Sequence, residues 1–447
     1  MDKVLTHEDL LKAQPWDLPG KWCVSAVNYL PEMRIESMPN IPKKVKISDC
    51  TLREAEDNIM VSLSIEQRIE LIRRLGVMGL SAIDCGYYGN EIHEATLKKA
   101  VDVGAVDPSG TTLFLNTQIW DIIAQADNVK GAVDRIAELG GNCLNAIVFA
   151  PIVTEEQSAV FIEFMNYAYD KHPGFKIICA LTASTGGIPY SGKLTGITDS
   201  FAWQIPLAEK LVGIGAKTIA LADSMGCAST PAFKYIVRQF NKAIGDRAEI
   251  SVHCHNDFGL AVGNSMAGVE EGATIVEVSA CGLGARAGNT PLDEAVVTLE
   301  ALYGVDTGID MSKFYDFSMW LQEVSGAQLH AWKAVSGEKL WYESSWHVAD
   351  YMKAKRGGID FFDAKISESL NPKLVGQEHL MKFGFAGLNL GVIKGFLEYN
   401  GLVVDDTAAR EIFAHGQKLI AERRAAGGNS WLEEDEVTEL CRRYAHG

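Results

Sequence analysis

Glu249-Ile250-Ser251-Val252-His253-Cys254-His255-Asn256-Asp257 begins as an apolar run that reads as a buried strand and ends on two histidines one residue apart. Side chains alternate across a strand, so both imidazoles leave on the same side. Paired imidazoles at a strand end suit a metal site open to substrate, and the competing reading is two satisfied core histidines. Outward from this stretch, β-branched runs recur at 45–49, 81–85, 111–116, 144–149, 176–181, 218–223 and 274–279. The segments between them carry apolar residues at helical spacing, as in 64–75, 154–169 and 201–212. Eight strands alternating with helices over about 250 residues predict a (β/α)8 TIM barrel. A doubly wound open sheet is the rival, but no Gly-rich dinucleotide turn follows the first strand.

A barrel of this kind places its chemistry at the C-terminal ends of its strands. Arg53 and Glu54 follow the first strand, Asp84 ends the second, Asn116 the third and Asp223 with Ser224 the sixth. His253 and His255 end the seventh, and Asn289 lies past the eighth, after the turn Gly282-Leu283-Gly284-Ala285-Arg286-Ala287-Gly288. Each alone suits a solvated loop or a helix cap. Their joint placement on one rim points to a site.

Composition limits the function classes. Charged residues make up 22% and hydrophobic ones 47%, which predicts a globular chain. A formal charge of −17 argues against nucleic acid or an anionic membrane as partner. It does not exclude an anionic substrate, because an Arg and a metal ion dominate their own pocket. The nine cysteines are scattered without a CxxC pair, the usage of a reduced, cytoplasmic protein. No segment has signal-peptide or membrane-spanning character.

Asp49-Cys50-Thr51-Leu52-Arg53-Glu54, the segment from His253 to Ala261 and the segment from Gly282 to Thr290 resemble the signatures of the DRE-TIM metallolyase superfamily. That group holds the isopropylmalate, homocitrate and citramalate synthases together with hydroxymethylglutaryl-CoA lyase. The resemblance implies one divalent metal ion, Mn2+, Mg2+ or Zn2+, held by Glu54, His253, His255 and Asn289. Arg53 then stands beside the substrate carbonyl. The chain departs from the pattern in three places. The usual Asp after the Arg and Glu on the second strand are exchanged, as Glu54 and Asp84. Ala55 replaces the usual glycine of the first turn. Ala285 stands where the synthases carry Glu.

After 303 the alternation stops, and 310–326 and 407–425 read as helices. The expected organisation is an N-terminal arm over 1–44, a barrel over 45–303 and a mostly helical C-terminal region over 304–447. Tryptophans 16 and 22 suggest that part of the arm is buried. Glu343-Ser344-Ser345-Trp346-His347-Val348 resembles a segment of the isopropylmalate synthase branch that reaches a partner subunit's active site, where its His takes part in acyl-CoA deprotonation. Gly187-Ile188-Pro189-Tyr190-Ser191-Gly192 instead resembles a loop of the lyases. The chain ends without a βαββαβ-like extension, so an allosteric leucine-sensing domain is not expected.

These resemblances imply a Claisen-type condensation of acetyl-CoA, or a similar acyl-CoA, with a 2-oxo acid, in a homodimer or larger homo-oligomer. Arg53, Asp84, Glu343, His347 and Tyr351 are the expected catalytic set, with Arg53, Asn116 and Ser224 on the substrate. Two alternatives remain open. One is carbon-carbon bond cleavage, with Cys281 or Cys254 as proton donor. The other is a catalytically silent regulatory barrel.

Overall fold

The computed structural model describes residues 6–58, 61–149, 152–182, 184–185, 203–343, 347–385 and 387–444. The chain forms two compact units, one of residues 1–10 with 27–329 and one of 11–26 with 330–447. In the first, eight parallel strands close a barrel: β1 (Lys46–Asp49), β2 (Ala82–Tyr87), β3 (Thr112–Ile119), β4 (Cys143–Val148), β5 (Lys176–Leu181), β6 (Thr218–Asp223), β7 (Glu249–Cys254) and β8 (Ile275–Val278). Closure comes from β8 pairing β1 in a register that sets Ile275 beside Lys46 and Val278 beside Asp49. The TIM barrel expected from the alternation is therefore observed. β3 runs past the expected end at Asn116, because Thr117 to Ile119 pair with Ala146 to Val148 of β4.

Local signals in the sequence set the helix bounds. Helix α1 (Ile65–Met78) starts at a capping box between Ser64 and Gln67 and stops at Gly79, whose φ of 100° favours glycine. Helix α2 (Glu155–Lys171) uses the same box at Thr154 and Gln157. Helix α3 (Thr230–Ile244) has a proline in its first turn and buries Phe233, Val237 and Phe240 against the barrel wall. Truncating one such phenylalanine to Ala costs about 3–5 kcal/mol. Helix α4 (Phe314–Ser325) closes on Gly326 at φ 72°. It belongs to the barrel unit, so that unit runs to 329 rather than to the expected 303.

The second unit has its own core, in which Phe383, Val392, Ile393, Phe396, Ile412, Ile420, Leu432 and Val437 are buried. Residues 11–26 belong to it: the Asn371 amide donates to Lys21 O at 2.8 Å, and the Trp22 ring is buried there with its Nε1 on Pro15 O. The burial expected of Trp22 is met, while Trp16 is only partly covered. Among the described residues no helix is long and apolar enough to cross a membrane.

Candidate metal centre and active site

The C-terminal end of the barrel holds a cavity of about 290 Å³, lined by Arg53, Glu54, Ser224, His253 and His255 among others. The turn after β1 brings the first two there. Asp49 accepts from the Thr51 amide (2.9 Å) and hydroxyl (2.7 Å), and Thr51 Oγ1 in turn accepts from the Ala280 amide at 2.7 Å. This tie between β1 and β8 starts the short helix Thr51–Glu54 and turns Arg53 and Glu54 inward. Burial pushes the Asp49 carboxyl up to about 7, against the pull of its Thr51 bonds.

His253 and His255 leave β7 on one side, as the alternation requires, with their Nε2 atoms 3.3 Å apart. Glu54 Oε1 lies 3.3 Å from His253 Nε2 and 4.0 Å from His255 Nε2. These three are the one described His/Cys/Asp/Glu group with donor atoms converging at metal-ligand range. Asn289 is held beside them by backbone pairing of its strand end with His255, and its Nδ2 lies 3.2 Å from His253 Nε2 and 3.5 Å from His255 Nε2. The glycines of its turn are required by close approach: a Cβ at Gly284 would fall 2.0 Å from Asn289 Oδ1, and one at Gly288 1.9 Å from Gly282 O.

The donor set fits a divalent ion on three counts. His253 Nδ1 donates to Glu277 Oε2 at 3.0 Å, and Ser251 donates to Glu277 Oε1 at 2.9 Å. That fixes the ring so that Nε2 faces the cluster, since a metal-bound histidine commonly donates its other ring N–H to a carboxylate. Asn289 Oδ1 and His255 Nδ1 are buried without a hydrogen-bond partner among the described residues, and a half-turn of the Asn289 amide presents Oδ1 to the cluster. Finally, once His253 is neutral, as a metal ligand must be, Glu54, Asp84 and Glu277 face a single buried cation, Arg53, and a divalent ion supplies the missing positive charge.

Titration follows the same logic. Burial works against the charges of Arg53 and Glu54, but their mutual attraction outweighs it, holding the guanidinium well above and the carboxyl well below their usual ranges. Burial and the nearby His253 press His255 down to about 3, so it stays a neutral ligand. Burial also acts against a charge on His253, yet its bonds to Cys50, Glu277 and Glu54 raise it well above the usual histidine value.

Asp84 and Asn116 do not face the cavity as the sequence suggested. Asp84 Oδ2 accepts from Arg53 Nε at 2.6 Å, and Oδ1 accepts from Gly86 N at 2.9 Å and Asn116 Nδ2 at 2.6 Å. It is a positioning residue for Arg53, and burial raises its carboxyl even beside that guanidinium. The Asn116 amide gives both N–H groups to Asp84 and the Gly86 carbonyl and accepts from Asn145 Nδ2, so it has no donor left for a substrate. The exchanged carboxylates thus have separate tasks, Glu54 in the His cluster and Asp84 behind Arg53.

Ser224 lines the cavity. Arg286, at φ 58°, donates to the Ser224 carbonyl at 2.9 Å and grips Asp257 through Nε and Nη2 at 2.8 and 2.9 Å, joining the turns after β6, β7 and β8. Cys254 is fully buried on the outward side of β7, and burial pushes its thiol up to about 12. Cys281 contacts Ser318 at 3.5 Å and does not line the cavity. Neither thiol lines the cavity. The lyase-like loop 187–192 lies outside the described residues, as do 344–346 and the side chains of Glu343 and Tyr351. His347 precedes the helix Val348–Arg356 of the second unit.

Sequence reasoning missed Glu277, although a lone carboxylate inside the β-branched run 274–279 was a visible signal. It also missed the cavity's aromatic wall, where Trp120 and Phe149 stack with centroids 4.3 Å apart. Those two fall outside the strand-end motifs and carry no polar signature.

Comparison with known proteins agrees with this geometry. The HMGL-like family profile matches residues 184–320. A 2-isopropylmalate synthase of Sulfolobus acidocaldarius is 28% identical over 406 residues, covering 88% of this chain and 94% of its own. A homocitrate synthase of Methanothermobacter thermautotrophicus is 26% identical over 78% of this chain and 82% of its own. Among solved structures, the HMG-CoA lyase of Bacillus subtilis superposes with a TM-score of 0.52 at 22% identity, covering 65% of this chain and 96% of the lyase. The HMGL-like match over residues 184–320 thus falls within the closed eight-stranded barrel unit and spans His253, His255 and Asn289.

Proposed function

We propose that the protein condenses acetyl-CoA, or a similar acyl-CoA, with a 2-oxo acid in a Claisen-type reaction, and that water then hydrolyses the condensed thioester, giving a 2-hydroxy-2-alkyl dicarboxylate and free CoA. The observation that carries this reading is the convergence of Glu54, His253 and His255 beside Arg53 in one cavity. Two facts favour condensation over cleavage. Relatives named as synthases match well beyond the barrel, and neither suspected thiol lines the cavity.

Glu54, His253, His255 and Asn289 would hold the divalent ion, which when bound supplies Lewis acidity to the ketone and carboxylate oxygens of the 2-oxo acid. Arg53 donates Nε to Asp84 and Nη1 to Glu54, and Nη2 has no partner among the described residues. Its fixed Nη2 is therefore available to the ketone oxygen, which becomes negative as the carbon-carbon bond forms. The Ser224 hydroxyl is assigned to the substrate carboxylate. His347 is assigned to proton removal from the acyl-CoA methyl group, with Glu343 orienting it and Tyr351 as a relay, and the site is completed by a partner subunit.

Thiol release from acetyl-CoA with glyoxylate, pyruvate, oxaloacetate, 2-oxoisovalerate or 2-oxoglutarate tests the reaction. Release with at least one acid is expected; none with any of them, despite bound metal, would favour the silent barrel. Arg53→Ala and His347→Ala, each inactive, should regain part of their activity when mixed and allowed to exchange subunits. An active His347→Ala, or a strictly monomeric enzyme, would favour the lyase reading.

A further inference from the structure

The barrel interior is open at its other end as well. Barrels of this class fill their core with layers of branched side chains. Here the N-terminal layers carry Ser48, Ala82, Thr112, Thr218 and Ser251, and a second cavity of about 650 Å³ takes the missing volume. Its volume falls within the range of small-molecule sites, about 300–1,000 Å³. It extends inward as far as Glu277, which also borders the upper cavity.

The lining is specific enough to choose a ligand class. Ile178, Ile275, Phe175 and Tyr169 supply apolar walls. Lys46, Lys176 and Lys217 stand with Glu249 at the mouth. Lys46 is neutralised, because its Nζ holds both Glu249 oxygens at 2.7 and 2.9 Å. Lys176 donates to Thr112 Oγ1 at 3.0 Å, which leaves its charge unopposed. Lys217 has no ion-pair partner among the described residues. Deeper in, Ser48 is only 5% exposed and its hydroxyl has no partner among the described residues. This hydroxyl lines the cavity and can hydrogen-bond a molecule that enters it.

We infer that this lower cavity is a second small-molecule site, which takes an organic anion with an apolar body. The charges set the orientation. Lys176 and Lys217 make the mouth positive, so the anionic head sits at the mouth and the body lies against Ile178 and Ile275 further in. The site goes beyond the condensation proposed above and stands whether or not that reaction occurs.

Benzoate and benzylamine, with similar bodies and opposite charges, test the inference by titration calorimetry on the metal-loaded protein. Benzoate should bind saturably, and benzylamine about tenfold more weakly or not at all. Arg53→Gln, which disables the upper cavity, should leave benzoate binding unchanged. Reversing the exposed mouth charges with Lys176→Glu and Lys217→Glu together should weaken benzoate about tenfold or more. Ser48→Leu should fill the cavity and abolish binding, and the mouth variants keep the test decisive if that chain does not fold. Absence of saturable benzoate binding, equal affinity for benzylamine, or loss of benzoate binding in Arg53→Gln would overturn the inference.

Discussion

The two ends of the barrel are built on the same eight strands and meet at one residue, Glu277, yet they solve opposite problems. The upper end concentrates buried charge, with three carboxylates and one guanidinium around two imidazoles. The lower end buries almost none and is lined by hydroxyls and methyl groups beneath exposed lysines. Strand geometry is indifferent to which end carries chemistry. What separates them is that loops after the strands bring in Arg53, Glu54 and Asn289, whereas the lower cavity has only the strand starts and short turns.

The largest effect expected from this contrast is at the histidines. The double variant His253→Ala, His255→Ala removes two of the converging donors, so elemental analysis should show loss of about one divalent ion per chain and assays should show no activity. Full metal occupancy in that variant would erase the distinction between the two ends. Arg53→Lys comes next. A lysine cannot hold Asp84 and Glu54 while presenting a third fixed donor, so kcat should fall on the order of 10²-fold at unchanged metal content. A near-normal kcat would make Arg53 structural, part of the charge balance alone.

Glu277 sharpens the comparison because it belongs to both ends. Glu277→Gln keeps the shape but weakens the acceptor that fixes His253 Nδ1–H. Metal affinity should fall about 10- to 100-fold, the usual cost of losing such a support. Unchanged affinity, measured by competition with a chelator, would mean that the Glu277 contact is incidental.

The two ends also differed in how far the sequence revealed them. The fold was readable because eight β-branched runs alternate with capped helices such as 65–78, and the upper rim because Arg53, His253, His255 and Asn289 are conspicuous residues at strand ends. The division of labour between Glu54 and Asp84 was not readable. It depends on which carboxylate reaches Arg53 Nε, a matter of one methylene and of Asn116 behind Asp84. The lower cavity was invisible for a different reason. Ser48, Ala82 and Thr218 are ordinary strand residues, and the space they leave exists only once the barrel closes.

The smallest effect concerns one proton. Burial disfavours charge on His253, but Cys50, Glu277 and Glu54 together raise its proton affinity well above the usual value, whereas His255 titrates near 3. At neutral pH the metal-free site therefore holds a proton on His253 and none on His255. An incoming ion must displace that proton, so uptake at pH 7 should release about one proton, and apparent affinity should rise by about tenfold per pH unit until His253 is neutral. The sign for stability is opposite. A histidine with a raised folded value stabilises the metal-free fold fully below its unfolded value of about 6.5, and that contribution disappears as pH rises through the folded value. Metal-free protein should therefore lose thermal stability on the alkaline side while metal-loaded protein does not. Calorimetry of metal uptake in two buffers of different ionisation enthalpy counts the protons directly. A count of zero would show His253 already neutral, and a count of two would show that burial does not keep His255 uncharged.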